Sequence, residues 1–235
     1  GKTMQPDHRA RYIFGFALLA ALLAALILWN LNTGSLHLSP AEVMDILLTR
    51  TGENAAIVWE MRFPRAVLAF LTGAALSASG TVMQSILKNP LASSYTLGVS
   101  SGASLCAALV MVTGVTFPLL GSLFTLPAAG FAGGLATVFL ALAFAARLDG
   151  KMENQTVILV GMVFSLFVNA ILTLLTALSR EHLQQMVFWQ MGGFTGRDWS
   201  HVAVMFPILV ISMLVLQRFT TEMDIMSFGE EQAMA

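Results

Sequence analysis

Charge is what this sequence has least of. Lys, Arg, Asp and Glu make up 11% of its 235 residues, against about 25% in a domain that must cover itself with water-facing side chains. That scarcity excludes an ordinary soluble domain, and 57% hydrophobic residues with a mean hydropathy of +0.77 point to lipid instead. Cysteine is nearly missing as well. Cys106 stands alone inside an apolar run, so there is no disulfide framework and no Cys-rich metal site. A net charge of -1 offers nothing to neutralise a phosphate backbone, which excludes nucleic acid as a partner. No G-x-x-x-x-G-K-[ST] cradles nucleotide phosphates and no H-E-x-x-H is present, while His8, His37, His182 and His201 are too scattered to meet at a metal. Gly98-Val-Ser-Ser-Gly102 has the outline of a nucleophile elbow, but no strand precedes it and no acid or His is near in sequence. The apolar runs also lack the Asp, Glu or Lys that a proton-driven carrier buries. Energy for transport is therefore expected from a partner, and no cofactor is expected on this chain.

What the sequence does have is length without charge. A helix needs about 20 apolar residues to cross a hydrocarbon core of about 30 Å, and Tyr12 to Trp29 and Ala66 to Leu87 are such runs. Leu91 to Ala146 contains no Asp, Glu, Lys, Arg or His. It is too long for one helix, and Gly114 to Pro118 with Gly121 to Pro127 are the expected breakers. Gln155 to Ser179 and Val202 to Leu216 complete the set. The expected fold is all-α, a polytopic transmembrane helical bundle in one domain over 1–235, with spans near 12–29, 66–87, 97–113, 124–146, 155–179 and 201–218. Lys2, Arg9 and Arg11 before the first run suggest a signal peptide, but the run is longer than an h-region and Trp29-Asn30-Leu31-Asn32 is no small-residue cleavage site. With the N-terminus inside, the inner loops hold Lys2, Arg9, Arg11, Lys88, Arg147, Lys151 and Arg218. The outer loops then hold Arg50, Arg62, Arg65, Arg180 and Arg197, a modest positive-inside bias.

Between the first two spans, 39–48 reads as an exterior helix. Ser39 suits the N-cap, Pro40 the first turn, and Glu42 and Asp45 the positive end of the dipole. Arg62-Phe63-Pro64-Arg65 leads into the second span, with Pro64 expected at the helix start. That span is rich in small residues from Gly73 to Gly80, the kind of face that lets helix backbones approach in lipid, so neighbours are expected around it. Gly98 with Gly102, and Gly130 with Gly134, repeat the small-xxx-small spacing. Lys88 to Gly98 is a polar, Pro-interrupted connection, either a tight inner loop or a constriction on a path.

Arg62-Phe-Pro-Arg65, Gly73-Ala-Ala-Leu-Ser-Ala-Ser-Gly80, Gln84, Lys88-Asn-Pro-Leu-Ala92 and Leu97-Gly-Val-Ser-Ser-Gly-Ala103 occur in one unbroken order. Gly161, Met191-Gly-Gly-Phe-Thr-Gly-Arg-Asp-Trp199 and Met223-Asp-Ile-Met-Ser-Phe-Gly-Glu-Glu-Gln-Ala233 continue it. This order closely resembles the FecCD-type permeases, the membrane subunits of ABC importers for iron-siderophores, haem and cobalamin. The resemblance covers nearly the whole chain and departs from the family pattern at Ser93-Ser94. It implies a type II importer permease fold of ten spans in a bacterial inner membrane, of which six are expected here, with Ala235 just inside the cytoplasmic segment that follows the sixth.

It further implies a second permease subunit, a cytoplasmic ATPase carrying ATP and Mg, and an extracytoplasmic substrate-binding protein. Arg62 and Arg65 match the arginines that dock that binding protein; Arg suits bidentate carboxylate contact, although two arginines here would equally anchor lipid headgroups. Gly229, Glu230, Glu231 and Ala233 match the start of the coupling helices that grip the ATPase. As sequence alone they are an acidic helix start. In the fifth span Gly161, Ser165, Asn169 and Thr173 form one helical stripe, able either to line a wet path or to pack helices. Asn89, Leu91, Asn154 and Gln155 are candidates for a cytoplasmic gate. The function implied is ATP-driven uptake of an iron-siderophore or related metal chelate by alternating access, with haem or cobalamin as alternatives and a stand-alone channel or carrier as the rival class.

Overall fold

Each apolar run folds as a helix, and the ends of those helices follow local chemistry. The computed structural model describes residues 8–93 and 95–220, apart from the His8 and Ser122 side chains, and among them there is no strand. The helices are α1 His8–Asn32, α2 Pro40–Thr49, α3 Phe63–Ile86, α4 Val99–Thr113, α5 Gly121–Leu148, α6 Asn154–Leu178, α7 Leu183–Met191 and α8 Trp199–Arg218. Five helical runs are long and apolar enough to cross a membrane: Arg9–Asn32, Ile57–Ile86, Leu123–Leu148, Asn154–Leu178 and Trp199–Arg218. α4, at 15 residues, is shorter.

The described residues fall into two compact units, 8–73 with 194–210, and 74–193 with 211–220. In the first, Ser39 Oγ accepts the Glu42 amide at 3.2 Å and Pro40 occupies the first turn, so α2 starts as its sequence dictates. α2 buries Val43 and Ile46 in a core with Leu31, Leu38, Val58 and Ala66. Pro64 does not open a helix. A π-helical turn, Ile57–Arg62, runs directly into α3, with the Phe63 amide bonded to the Val58 carbonyl. Pro has no amide hydrogen and its ring crowds the carbonyls of the preceding turn; the widened turn gives that ring room.

In the second unit α4, α5 and α6 pack together around two cores, one holding Leu97, Ala145, Val157 and Val160, the other Ala107, Met111, Leu172 and Met186. α4 and α5 meet backbone to backbone. A Cβ on Gly102 would strike Thr137 and the Gly133 carbonyl, and one on Gly133 would stand 2.6 Å from Cys106 Sγ. Such approach is what holds helices together where lipid removes the hydrophobic drive. The reversal before α5 occupies residues 114–120 rather than extending to Pro127, which lies inside α5. Thr125 closes that reversal by accepting the Phe117 amide at 3.1 Å while donating to the Gly121 carbonyl at 2.6 Å. On the small-residue face of α3, a Cβ built at Gly73 or Gly80 would meet no described atom of another element within 4 Å.

Candidate functional site

The stripe on α6 divides at its middle. Gly161 is buried, and a Cβ there would meet the Thr96 carbonyl and stand 3.1 Å from Leu97 Cα. Ser165 Oγ bonds to the carbonyls of Gly161 at 2.8 Å and Tyr95 at 3.2 Å. Gly98, at φ 76°, adopts a left-handed conformation, and a Cβ built on it would stand 2.8 Å from Ser165 Oγ. These two stripe residues therefore clamp the connection before α4. They pack; they do not line space.

One turn further on, the same face opens. Asn169 and Thr173 are exposed and line a cleft of about 690 Å³ with Thr176, Arg180 and Gln190. A second cleft, about 420 Å³, is lined by Ser100, Ser101, Ser104, Tyr95 and Trp189. The two share Asn169, Leu172 and Gln190. Among the described residues lining them, Arg180 carries the only charge. Gln190 and Trp189 belong to α7, a helix not anticipated from the sequence, and with the serines of α4 they are the lining that sequence reasoning missed.

At the polar turn after α3, Lys88 takes the left-handed conformation at φ 47° and the chain doubles back. Asn89 Oδ1 accepts the Leu91 amide at 2.9 Å and Gln84 Nε2 donates to the Pro90 carbonyl at 3.0 Å. The turn thrusts Leu91 outward, 86% exposed. Asn154 and Gln155 begin α6, half-buried and exposed respectively. Asp149 fixes the approach to them, accepting the amides of Glu153 at 2.9 Å and Lys151 at 3.1 Å. Those hydrogen bonds, the Glu153 amide first, hold its carboxyl below the usual carboxylate range.

The two arginines are not a matched pair. Arg62 is 7% exposed and donates to the carbonyls of Leu31 at 2.7 Å and Leu36 at 2.5 Å. It satisfies a carbonyl at the end of α1 and fixes the loop to α2. Arg65 is exposed and makes no hydrogen bond or ion pair among the described residues. Both border a small cleft of about 130 Å³ with Asn30, Gly34 and Ser35. Gly229, Glu230, Glu231 and Ala233 lie outside the described residues.

The sequence profile of the FecCD transport family matches residues 22–235. The chain belongs to the FecCD transport family. It is 36% identical over 240 residues to YvrB, an uncharacterized ABC transporter permease of Bacillus subtilis, covering 98% of this chain and 66% of that one. Against BtuC, the vitamin B12 import system permease of Yersinia enterocolitica, it is 36% identical over 231 residues, covering 97% and 64%. A solved ABC transporter of the metal-chelate type, in an inward-facing conformation, aligns with a TM-score of 0.73 at 26% identity over 95% of this chain and 65% of that one. The chain thus spans about two thirds of the length of the relatives it matches. The fold of this FecCD member is that of an ABC transporter permease, and it is a multi-pass membrane protein.

Proposed function

We propose that the chain is the permease subunit of an ATP-driven importer that moves an iron-siderophore or related metal chelate across the bacterial inner membrane by alternating access. The observation that carries this reading is the pair of clefts joined at Asn169 and Gln190. They are lined by amides and hydroxyls interleaved with apolar and aromatic side chains, with one peripheral charge, a surface that guides a bulky chelate without holding it tightly. Haem and cobalamin are the alternative cargoes, and vitamin B12 is the cargo named for BtuC. In this reading the N-terminus is cytoplasmic, the clefts form the outer part of the path against a second permease subunit, and Leu91, presented by the Asn89 turn, gates its inner end together with Asn154 and Gln155. ATP and Mg are held by a separate cytoplasmic ATPase, whose grip falls on the segment containing Gly229, Glu230, Glu231 and Ala233. Rigid-body motion of the permeases then alternates access.

Docking of an extracytoplasmic binding protein falls to Arg65, because the guanidinium of Arg62 is committed to Leu31 and Leu36. The test is reconstitution in liposomes with the ATPase and binding protein, measuring uptake of labelled ferric chelate, haem and cobalamin. Uptake of one of them that requires ATP is expected, and Arg65→Glu should weaken capture of the binding protein by about tenfold. Chelate flux through the chain alone, without ATP, would move the assignment to a channel or secondary carrier.

A further inference from the structure

Outside the path, the first unit carries a cleft of about 610 Å³ lined by Arg50, Ala55, Ala56, Trp59, Glu60 and Trp199. Its wall is aromatic and rigid. Trp59 and Trp199 stack with centroids 6.4 Å apart, and Phe63 sets its edge against both, at 5.0 and 5.4 Å. Each indole is pinned by its own hydrogen bond, Trp199 Nε1 to the Trp59 carbonyl at 2.7 Å and Trp59 Nε1 to the Ile46 carbonyl at 3.1 Å. The Arg50 guanidinium lies over the Trp59 ring, 4.1 Å from its centroid. Arg50 is also the C-cap of α2, at φ 55°, a left-handed position that favours Gly and is strained for Arg.

Two opposite charges therefore flank one aromatic wall without meeting. Neither the Arg50 guanidinium nor the Glu60 carboxylate makes a hydrogen bond or ion pair with another described residue. A ligand that satisfies both carries an anion for Arg50 and a cation for Glu60 and the indole faces. The depth of the cleft selects among zwitterions. Trp199 is the first residue of the Trp199–Arg218 run and Trp59 the third of Ile57–Ile86, so the cleft lies at the ends of two apolar helical runs, and Trp at span ends is enriched at the level of the headgroups.

We propose that this cleft is a binding site for a phosphatidylethanolamine headgroup, with phosphate on Arg50 and ammonium between Glu60 and the Trp199 face. Anionic lipid is selected against, because Glu60 repels it. The experiment releases the complete chain from nanodiscs containing equal phosphatidylethanolamine and phosphatidylglycerol and counts retained lipids by native mass spectrometry. Wild type should retain phosphatidylethanolamine in excess. Glu60→Gln should lower the ratio of the two lipids by about fivefold, the scale of one exposed ion pair, and Arg50→Gln should reduce retention of both. Both side chains are exposed, and unchanged melting temperatures would verify that the variants fold. Equal retention of the two lipids by wild type, or a ratio unmoved by Glu60→Gln, would overturn the site. So would variants that keep the lipid ratio but lose capture of the binding protein, which would make the cleft a protein dock.

Discussion

The two halves of α6 carry the same kinds of residue at the same spacing and are put to opposite use. Gly161 and Ser165 are sealed against the backbone of Tyr95 to Leu97, whereas Asn169 and Thr173 face open clefts. The arginines repeat the contrast within one turn: Arg62 is drawn onto two carbonyls and Arg65 is left free of partners among the described residues. In both cases periodicity decides which residues share a face, and a distant segment decides whether that face is covered. Residues held by the fold and residues left for use are thus neighbours in sequence, and substitution should separate them.

The largest effect is expected at Gly161. Leu there would place carbon against the Thr96 carbonyl and Leu97 Cα, backbone that cannot swing aside as a flexible side chain would. Overpacking of this kind costs about 3 kcal/mol or more, and Gly161→Leu should yield little monodisperse protein after detergent extraction, while Asn169→Leu extracts normally. Comparable loss from both would erase the contrast. Next comes the arginine pair. Arg62→Ala strands the Leu31 and Leu36 carbonyls and should destabilise by about 2–6 kcal/mol, at about 1–3 kcal/mol for each unsatisfied group. Arg65→Ala should change stability by less than about 0.5 kcal/mol. Denaturation of the two variants in the same micelles measures the difference.

These contrasts also mark how far the sequence could be read. The spans were legible because length without charge has one structural outcome in this composition, and the start of α2 because Ser39 and Pro40 act within one turn. The burial of Arg62 was not legible, since its acceptors lie 31 and 26 residues away and an arginine beside a span reads as outward. Nor was the division of the α6 stripe, whose cover is Tyr95, 70 residues from Ser165. α7 escaped because its nine residues follow a single 3-10 turn, Arg180–His182, without a side-chain cap. The small face of α3 was read as a packing surface, and Gly73 and Gly80 on it meet no neighbouring element among the described residues; about a third of each relative's length lies outside the match to this chain.

A smaller effect, confined to transport, is expected where the two clefts join. Asn169→Leu should lower ATP-driven chelate uptake by about tenfold, the equivalent of about 1.4 kcal/mol on the step that passes it, without lowering the melting temperature. Ser165→Ala should do the reverse, losing about 1 kcal/mol of stability with its bond to Tyr95 and leaving uptake unchanged. If Ser165→Ala impairs uptake as much as Asn169→Leu, the packed half of α6 also belongs to the path.

The smallest effect tests a carboxylate held by the fold at the start of α8. Asp198 accepts the Ser200 amide at 3.1 Å and a short bond from the Ser200 hydroxyl. His201 Nδ1 lies 2.8 Å from it, and Arg197 donates to His201 Nε2 at 3.1 Å, which leaves the ring proton on Nδ1 facing the carboxylate. The Ser200 hydroxyl first, and His201 next, lower the Asp198 pKa from 3.8 to about 2. A carboxyl whose pKa is depressed on folding stabilises the folded state above its unfolded pKa, and that contribution fades as pH falls through the folded value. Asp198→Asn keeps an oxygen for Ser200 and discards the charge, so it should melt below wild type at pH 7. The gap should close between about pH 4 and 2, because protonation brings the wild type to the same uncharged cap. Melting curves of both proteins across that range separate this group from every other carboxylate, since only the difference between them is read. A gap that persists at pH 2 would mean that Asp198 acts at this turn through shape rather than charge.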